Sequence, residues 1–319
     1  MKKGMNDLTL VWIFATVAGA IILAFFFRFG ESQEGIFDAR NAREAVFSLN
    51  DQLTAFGTSE ESSKIIPMNF ENGFYFTCNA ISTEDFSLDT NKILFAPEKI
   101  SDDVLISIRE WEFPYPIAKF YYLSGKNSRM LIVYDANSYD YVLNLEIPEI
   151  FNAQKQSITS FNAEKLQQES STLDSLAIVF FTKAPKENVF GKIKLQNLNV
   201  VEVDLNKKQL TIANRKETFT DFYLGEEMMI GSFFAPADYR CIKDAAMEKL
   251  RILTGVYEGK ALLLQAKTTD QTCESKLHEI QSAMSSFKAS TINNVLQDYA
   301  EKINEQNKNL RKNDCNEIY

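Results

Sequence analysis

The chain has 319 residues, with 34 Lys and Arg against 43 Asp and Glu for a formal net charge of -9, and 45% hydrophobic residues. That balance argues against nucleic acid or anionic headgroups as the main partners, because both need a basic footprint; only local basic patches are left for them. The charged and aromatic content is that of a folded chain, which sets wholesale disorder aside.

The first element is apolar. Leu8 to Phe27 carries no charged residue, and its length of about 20 residues matches a hydrocarbon core of roughly 30 Å. Phe25, Phe26, Phe27, Arg28 and Phe29 stand at its exit in place of a small-residue cleavage site, so the run reads as an uncut transmembrane anchor in contact with the lipid bilayer. Lys2 and Lys3 precede it, while Arg28, Glu31, Glu34 and Asp38 follow. The positive end, residues 1–7, is therefore expected in the cytoplasm, with everything after the anchor on the extracellular side. Ala15 and Gly19, like Ala20 and Ala24, are small residues four apart, a spacing that lets two helices approach and form an oligomer.

Residues 28–68 read as a hinge and an amphipathic helix. Val46, Leu49, Leu53 and Phe56 recur at spacings of three and four, and Gly57 closes the pattern. Lys2-Lys3-Gly4 before Met5, with the apolar run soon after, resembles the class III signal of archaeal type IV pilins, and "WIFATVAGAIILAFFF" resembles the anchors of archaeal single-pass membrane proteins. The pilin resemblance implies cleavage between Gly4 and Met5 and assembly into a filament through the anchor. Where that family carries a glutamate five residues into the mature chain, this sequence has Thr9.

From residue 69 to 234 short apolar, β-branched and aromatic runs predict strands: Phe74 to Cys78, Lys92 to Pro97, Ile117 to Leu123 and Arg129 to Asp135. Ser124 to Ser128 reads as a hairpin link. Between the second and third runs, Val104, Leu105, Ile108 and Trp111 mark a helical face with Ser101 as N-cap. Downstream, Ala177 to Phe181, Val200 to Asp204 and Gln209 to Asn214 repeat a similar order, with a hairpin across Asn206 and Lys207. Residues 91–150 and 175–234 are therefore expected as sister units. The fold class is α/β with a mixed-sheet body, α+β being the alternative.

Residues 235–319 predict an antiparallel helical hairpin, either packed on the body or protruding from it. One stripe runs through Ile242, Leu250, Leu253, Tyr257, Ala261 and Leu264; the second runs from Leu277 to Leu310 with a one-residue hitch near Ser290. All four cysteines, Cys78, Cys241, Cys273 and Cys315, lie beyond the anchor, which suits two disulfides in an oxidising compartment. A continuous helix from 242 to 264 would hold Cys241 and Cys273 over about 30 Å apart, too far to bridge. A long return helix would bring Cys315 back to Cys241, leaving Cys78 for Cys273.

Chemistry is bounded mostly by absences. His278 is the single histidine, so H-E-x-x-H zinc catalysis is excluded and the residue reads as a solvated one. No two of the 12 glycines are closer than four positions, so G-x-G-x-x-G and phosphate loops are absent and no cofactor is indicated. The pairs Asp102-Asp103, Glu226-Glu227 and Glu60-Glu61 lack a calcium-loop context and read as solvated faces. Trp111, Phe113 and Tyr115, set among two prolines, could form a rigid platform for an envelope protein or glycan, or else a core-facing loop. The expectation is a membrane-anchored binding or assembly module; a pilin-like subunit and an exported carboxylate enzyme or ligand sensor are the alternatives.

Overall fold

A computed structural model describes residues 16–20, 22–24, 40–58, 62–68, 72–215, 217–290 and 293–319. Most of the anchor, including Ala15, and the Gly4-Met5 junction lie outside them. Residues 16–20 and 22–24 are helical, with Val17, Ile22 and Leu23 more than half exposed. Among the described residues, no helix is long and apolar enough to cross a membrane.

Helix α1 (residues 40–58) buries the expected face, Val46, Leu49, Leu53 and Phe56. That face packs against two sheets. One is a small antiparallel sheet of β2 (Phe74–Phe76), β3 (Ala80–Ser82), β4 (Ser87–Asp89) and β6 (Lys99–Ile100), in the order β4-β3-β2-β6. The other is a mixed sheet of β1 (Ser63–Ile66), β5 (Ile93–Phe95), β7 (Val104–Glu112) and β8 (Pro116–Gly125), in the order β1-β7-β8-β5. Within it β7 is antiparallel to β1 and β8, while β5 is parallel to β8.

A third sheet holds β9 (Ser128–Tyr134), β10 (Gln154–Ser157), β11 (Ser175–Phe180), β12 (Leu198–Asp204), β13 (Gln209–Ala213) and β14 (Thr218–Phe222), ordered β10-β9-β11-β12-β13-β14. Its first four strands are parallel and its last three antiparallel. Helices α3 (Ala163–Glu169) and α4 (Lys186–Lys192) cover one face; between β9 and β10 runs the short α2 (Tyr139–Asn144).

Between the second and third sheets lies α5 (Gly225–Phe234), every residue from Met228 to Phe234 buried. A helix apolar all round needs a core on every side, and this explains the segment "MMIGSFF". The strands on either side read as unbroken apolar runs because both faces are covered. In β8, Phe120 and Tyr122 face the α5 core while Tyr121 and Leu123 face α1; in β9, Met130 and Ile132 face α5 while Leu131 and Val133 face α3 and α4.

The C-terminal part is α6 (Tyr239–Lys267), α7 (Gln271–Ala289) and α8 (Asn293–Lys312), packed on the body and sharing its largest core. The mixed α/β body is thus as expected, and four local expectations are corrected. Ser101 to Trp111 contains strand β7, because alternate residues, Val104 and Ile106 against Leu105 and Trp111, serve opposite cores; the helical spacing was shared with a period of two. The link at Ser124 to Ser128 joins strands of different sheets, so it is no hairpin, whereas β12 and β13 do form one. The sister units do not form, since β9 from the first range pairs with β11 of the second. Finally, the hitch near Ser290 is a helix break, which turns the expected hairpin into three helices.

Candidate functional site

The disulfides follow from that break. Asp270 caps α7, its carboxylate accepting from the Thr272 and Cys273 amides at 2.7 and 3.2 Å, which places Cys273 in the first turn. Because α8 returns along α7, Cys315 arrives there and pairs with Cys273, while Cys78 pairs with Cys241. Both pairs have Cα atoms 5.6 Å apart. The expected partners, Cys241 with Cys315 and Cys78 with Cys273, are therefore exchanged, although Cys241 and Cys273 stay apart as the continuous α6 requires. Two paired, widely separated bridges fit an oxidising environment.

The aromatic platform is also corrected. Trp111 and Tyr115 are fully buried and Phe113 is half-buried. Trp111 stacks on Phe120 at 4.9 Å and its Nε1 donates to the Leu224 carbonyl at 2.9 Å; Tyr115 packs on Tyr257 and Tyr319 at 4.5 and 5.2 Å. The Trp111 and Tyr115 rings belong to the core, and Phe113 packs against it with part of its surface exposed. His278 is exposed, as expected, and Gly19 has open space where a Cβ would stand.

Glu226 and Glu227 prove less solvated than a surface pair. They occupy the first turn of α5, whose entry is fixed by Gly225 at φ +80° and by the Trp111 and Tyr122 side chains. Tyr122 donates to the Glu227 carbonyl at 2.9 Å, and Tyr141 of α2 donates to Glu226 Oε2 at 3.1 Å. Burial raises the Glu227 carboxyl above the usual range; its own amide and Arg109 oppose this, and Glu226 and Glu112 add to it. The Tyr223 hydroxyl, buried nearby, has no hydrogen-bond partner among the described residues and is raised by burial too. Burial thus favours the protonated form of Glu227, and the N-terminal end of the α5 dipole opposes it. Tyr141 of α2 and Arg109 of β7 carry no sequence signal linking them to the glutamate pair, whereas Tyr223 lies in the link that leads into α5.

A cleft lies elsewhere, beside α1. It measures about 560 Å³ and is walled by Asn41, Glu44, Ser48 and Gln52 of α1 against Met68 and Asp85, over a floor that includes Leu49 and Phe74. Its chemistry is that of amides, hydroxyls and carboxylates at the mouth with apolar atoms beneath. The polar face of α1 is readable in the sequence as the complement of its apolar face; the opposing wall is not. Among the described residues, no group of three or more His, Cys, Asp and Glu side chains is placed to hold a metal ion. Comparison with known protein families, curated proteins and solved structures finds no match for this chain.

Proposed function

We propose that this chain is a single-pass membrane protein, held by Leu8 to Phe27, whose disulfide-bonded body stands outside the cell and serves the envelope as a binding or assembly module. The observation that carries the reading is the placement of all four cysteines, joined as two bridges, after an uncharged run preceded by Lys2 and Lys3. Support also comes from Val17, Ile22 and Leu23, helical residues whose apolar side chains are more than half exposed. The cleft beside α1 supplies polar groups suited to an envelope protein or glycan. Alkaline carbonate extraction of membranes tests the anchoring: the chain is expected in the pellet, and release into the supernatant refutes it.

A filament subunit is the second reading, favoured by Lys2-Lys3-Gly4 before Met5. Mass spectrometry of the native N-terminus separates the two. A chain beginning at Met5 supports processing; one beginning at Met1 or Lys2 removes the motive for the filament.

A further inference from the structure

Helix α6 carries two apolar stripes on opposite sides. One, through Leu250, Thr254 and Ala261, is buried in the body. On the other, Ile252 is 60%, Val256 62%, Leu262 48% and Leu263 66% exposed. Gly255 and Gly259 lie between them and keep the surface low, with nothing within 4 Å of where a Gly259 Cβ would stand. At helical spacing these side chains form one continuous strip about 17 Å long. Exposed Arg251, Lys260 and Lys267 flank it. Lys260 also donates to the Ile318 carbonyl at 2.6 Å, and Glu258 is engaged by Lys288 at 3.3 Å.

We infer that this strip is a membrane-contact surface: the outer face of α6 rests shallowly in the bilayer, apolar side chains among the acyl chains and the flanking cations at anionic headgroups. The inference rests on the anchored reading for proximity, because residues 28–39 span at most about 40 Å when extended, so the body stays close to the lipid. Charge supports lipid, since Arg251, Lys260 and Lys267 border the strip, against exposed Glu248 one turn before Ile252 and Glu258 already paired with Lys288. Area disfavours a second copy of the chain. Four side chains at these exposures offer roughly 400 Å² of apolar surface, about half of the 800 Å² per partner of a stable interface, and a two-fold contact would also bring the cationic edges together.

The test uses the full chain in vesicles of phosphatidylglycerol and phosphatidylcholine, the latter with brominated acyl chains that quench tryptophan on contact. Trp12 lies in the anchor and Trp111 is fully buried in the body, so quenching of the unaltered chain reports the anchor. In the Trp12→Phe/Val256→Trp chain, emission is expected to fall about twofold relative to unbrominated vesicles, and Leu263→Trp in the same background is expected to repeat it. Unquenched emission at both positions overturns the membrane contact, whether or not Trp12 is quenched. Unquenched Trp12 overturns the anchored reading alone if positions 256 and 263 are quenched. A blue-shifted but unquenched signal at Val256→Trp, taken as the difference from the Trp12→Phe chain that carries Trp111 alone, means a protein surface covers the strip, and overturns the inference as well.

Discussion

The Cα atoms of Cys78 and Cys241 lie 5.6 Å apart across 163 residues of sequence, tying the loop after β2 to the first turn of α6. Cys273 and Cys315 close a separation of 42 residues within the helices alone. In the chain-entropy model, loops of these lengths contribute up to about 5 and 4 kcal/mol. Replacing Cys78 and Cys241 by Ser is therefore expected to lower stability in urea at least as much as replacing Cys273 and Cys315. Cys78 is half-buried and Cys241 exposed, whereas Cys273 and Cys315 are 8% and 9% exposed, so mild reductant is expected to open the first bridge before the second. Non-reducing peptide mapping checks the pairing, and a Cys241–Cys315 peptide would contradict it.

Asp221 of β14 and Lys243 of α6 form an ion pair at 2.6 Å, each side chain only 10% exposed. Asp221 Oδ1 also accepts from the Phe222 amide at 2.8 Å, and Lys243 lies over the Phe222 ring. Among the described residues, removing Asp221 leaves the buried Lys243 with only the exposed Asp244 at 3.8 Å, and removing Lys243 leaves Asp221 with only Arg240 at 3.8 Å as its counter-ion. Asp221→Asn is expected to cost about 3 to 5 kcal/mol in equilibrium unfolding, while replacing both residues with apolar ones of similar volume costs far less.

Gly231 sits in the middle of α5, where a Cβ would stand 2.6 Å from the Phe95 ring. Alanine normally favours a helix interior over glycine by about 1 kcal/mol. Here the close approach to β5 outweighs that gain, and Gly231→Ala is expected to destabilise by about 1 to 3 kcal/mol, as overpacked cores do. Thermal unfolding of the variant measures it; a raised midpoint would mean that α5 can shift between the sheets.

The raised Glu227 carboxyl gives a pH dependence of defined sign. A group whose native pKa lies above its unfolded value binds protons more tightly in the folded state, so its contribution declines as pH rises from the ordinary glutamate range through the raised value. Glu227→Gln removes that decline. The variant is expected to equal or exceed the unaltered chain in midpoint at pH 7, with the difference shrinking toward pH 4 (about the ordinary range). A variant less stable at pH 7 would show that the ionised form makes a stabilising contact.

The sequence speaks clearly where one periodicity has one cause. Val46, Leu49, Leu53 and Phe56 define the buried face of α1, whereas the helix from Met228 to Phe234, apolar on all sides, carries no periodicity to mark it. It is ambiguous where two periods coincide: Val104, Leu105, Ile108 and Trp111 satisfy both a helix and a strand buried on two faces, and β-branching with long-range pairing decides for the strand. Disulfide pairing failed on one residue of offset, because the hitch at Ser290 was compatible with a continuous helix and the break redirects Cys315. The outer stripe of α6 was legible at Ile252, Val256, Gly259 and Leu263. The buried stripe on the opposite side accounts for the helix by itself, so the sequence does not single out the outer one. The burial of Glu226 and Glu227 has no sequence signal, since it depends on Tyr141 and Trp111 arriving from a distant helix and strand.

The central claim is that the body lies across the membrane from Lys2 and Lys3. A membrane-impermeant amine reagent on intact cells tests it directly, because Lys165 and Lys207 of the body have side chains 77% and 71% exposed. Mass spectrometry is expected to find these two lysines modified, and Lys2 and Lys3 unmodified until the cells are permeabilised. Lys165 and Lys207 spared in intact cells and modified only after permeabilisation would contradict it.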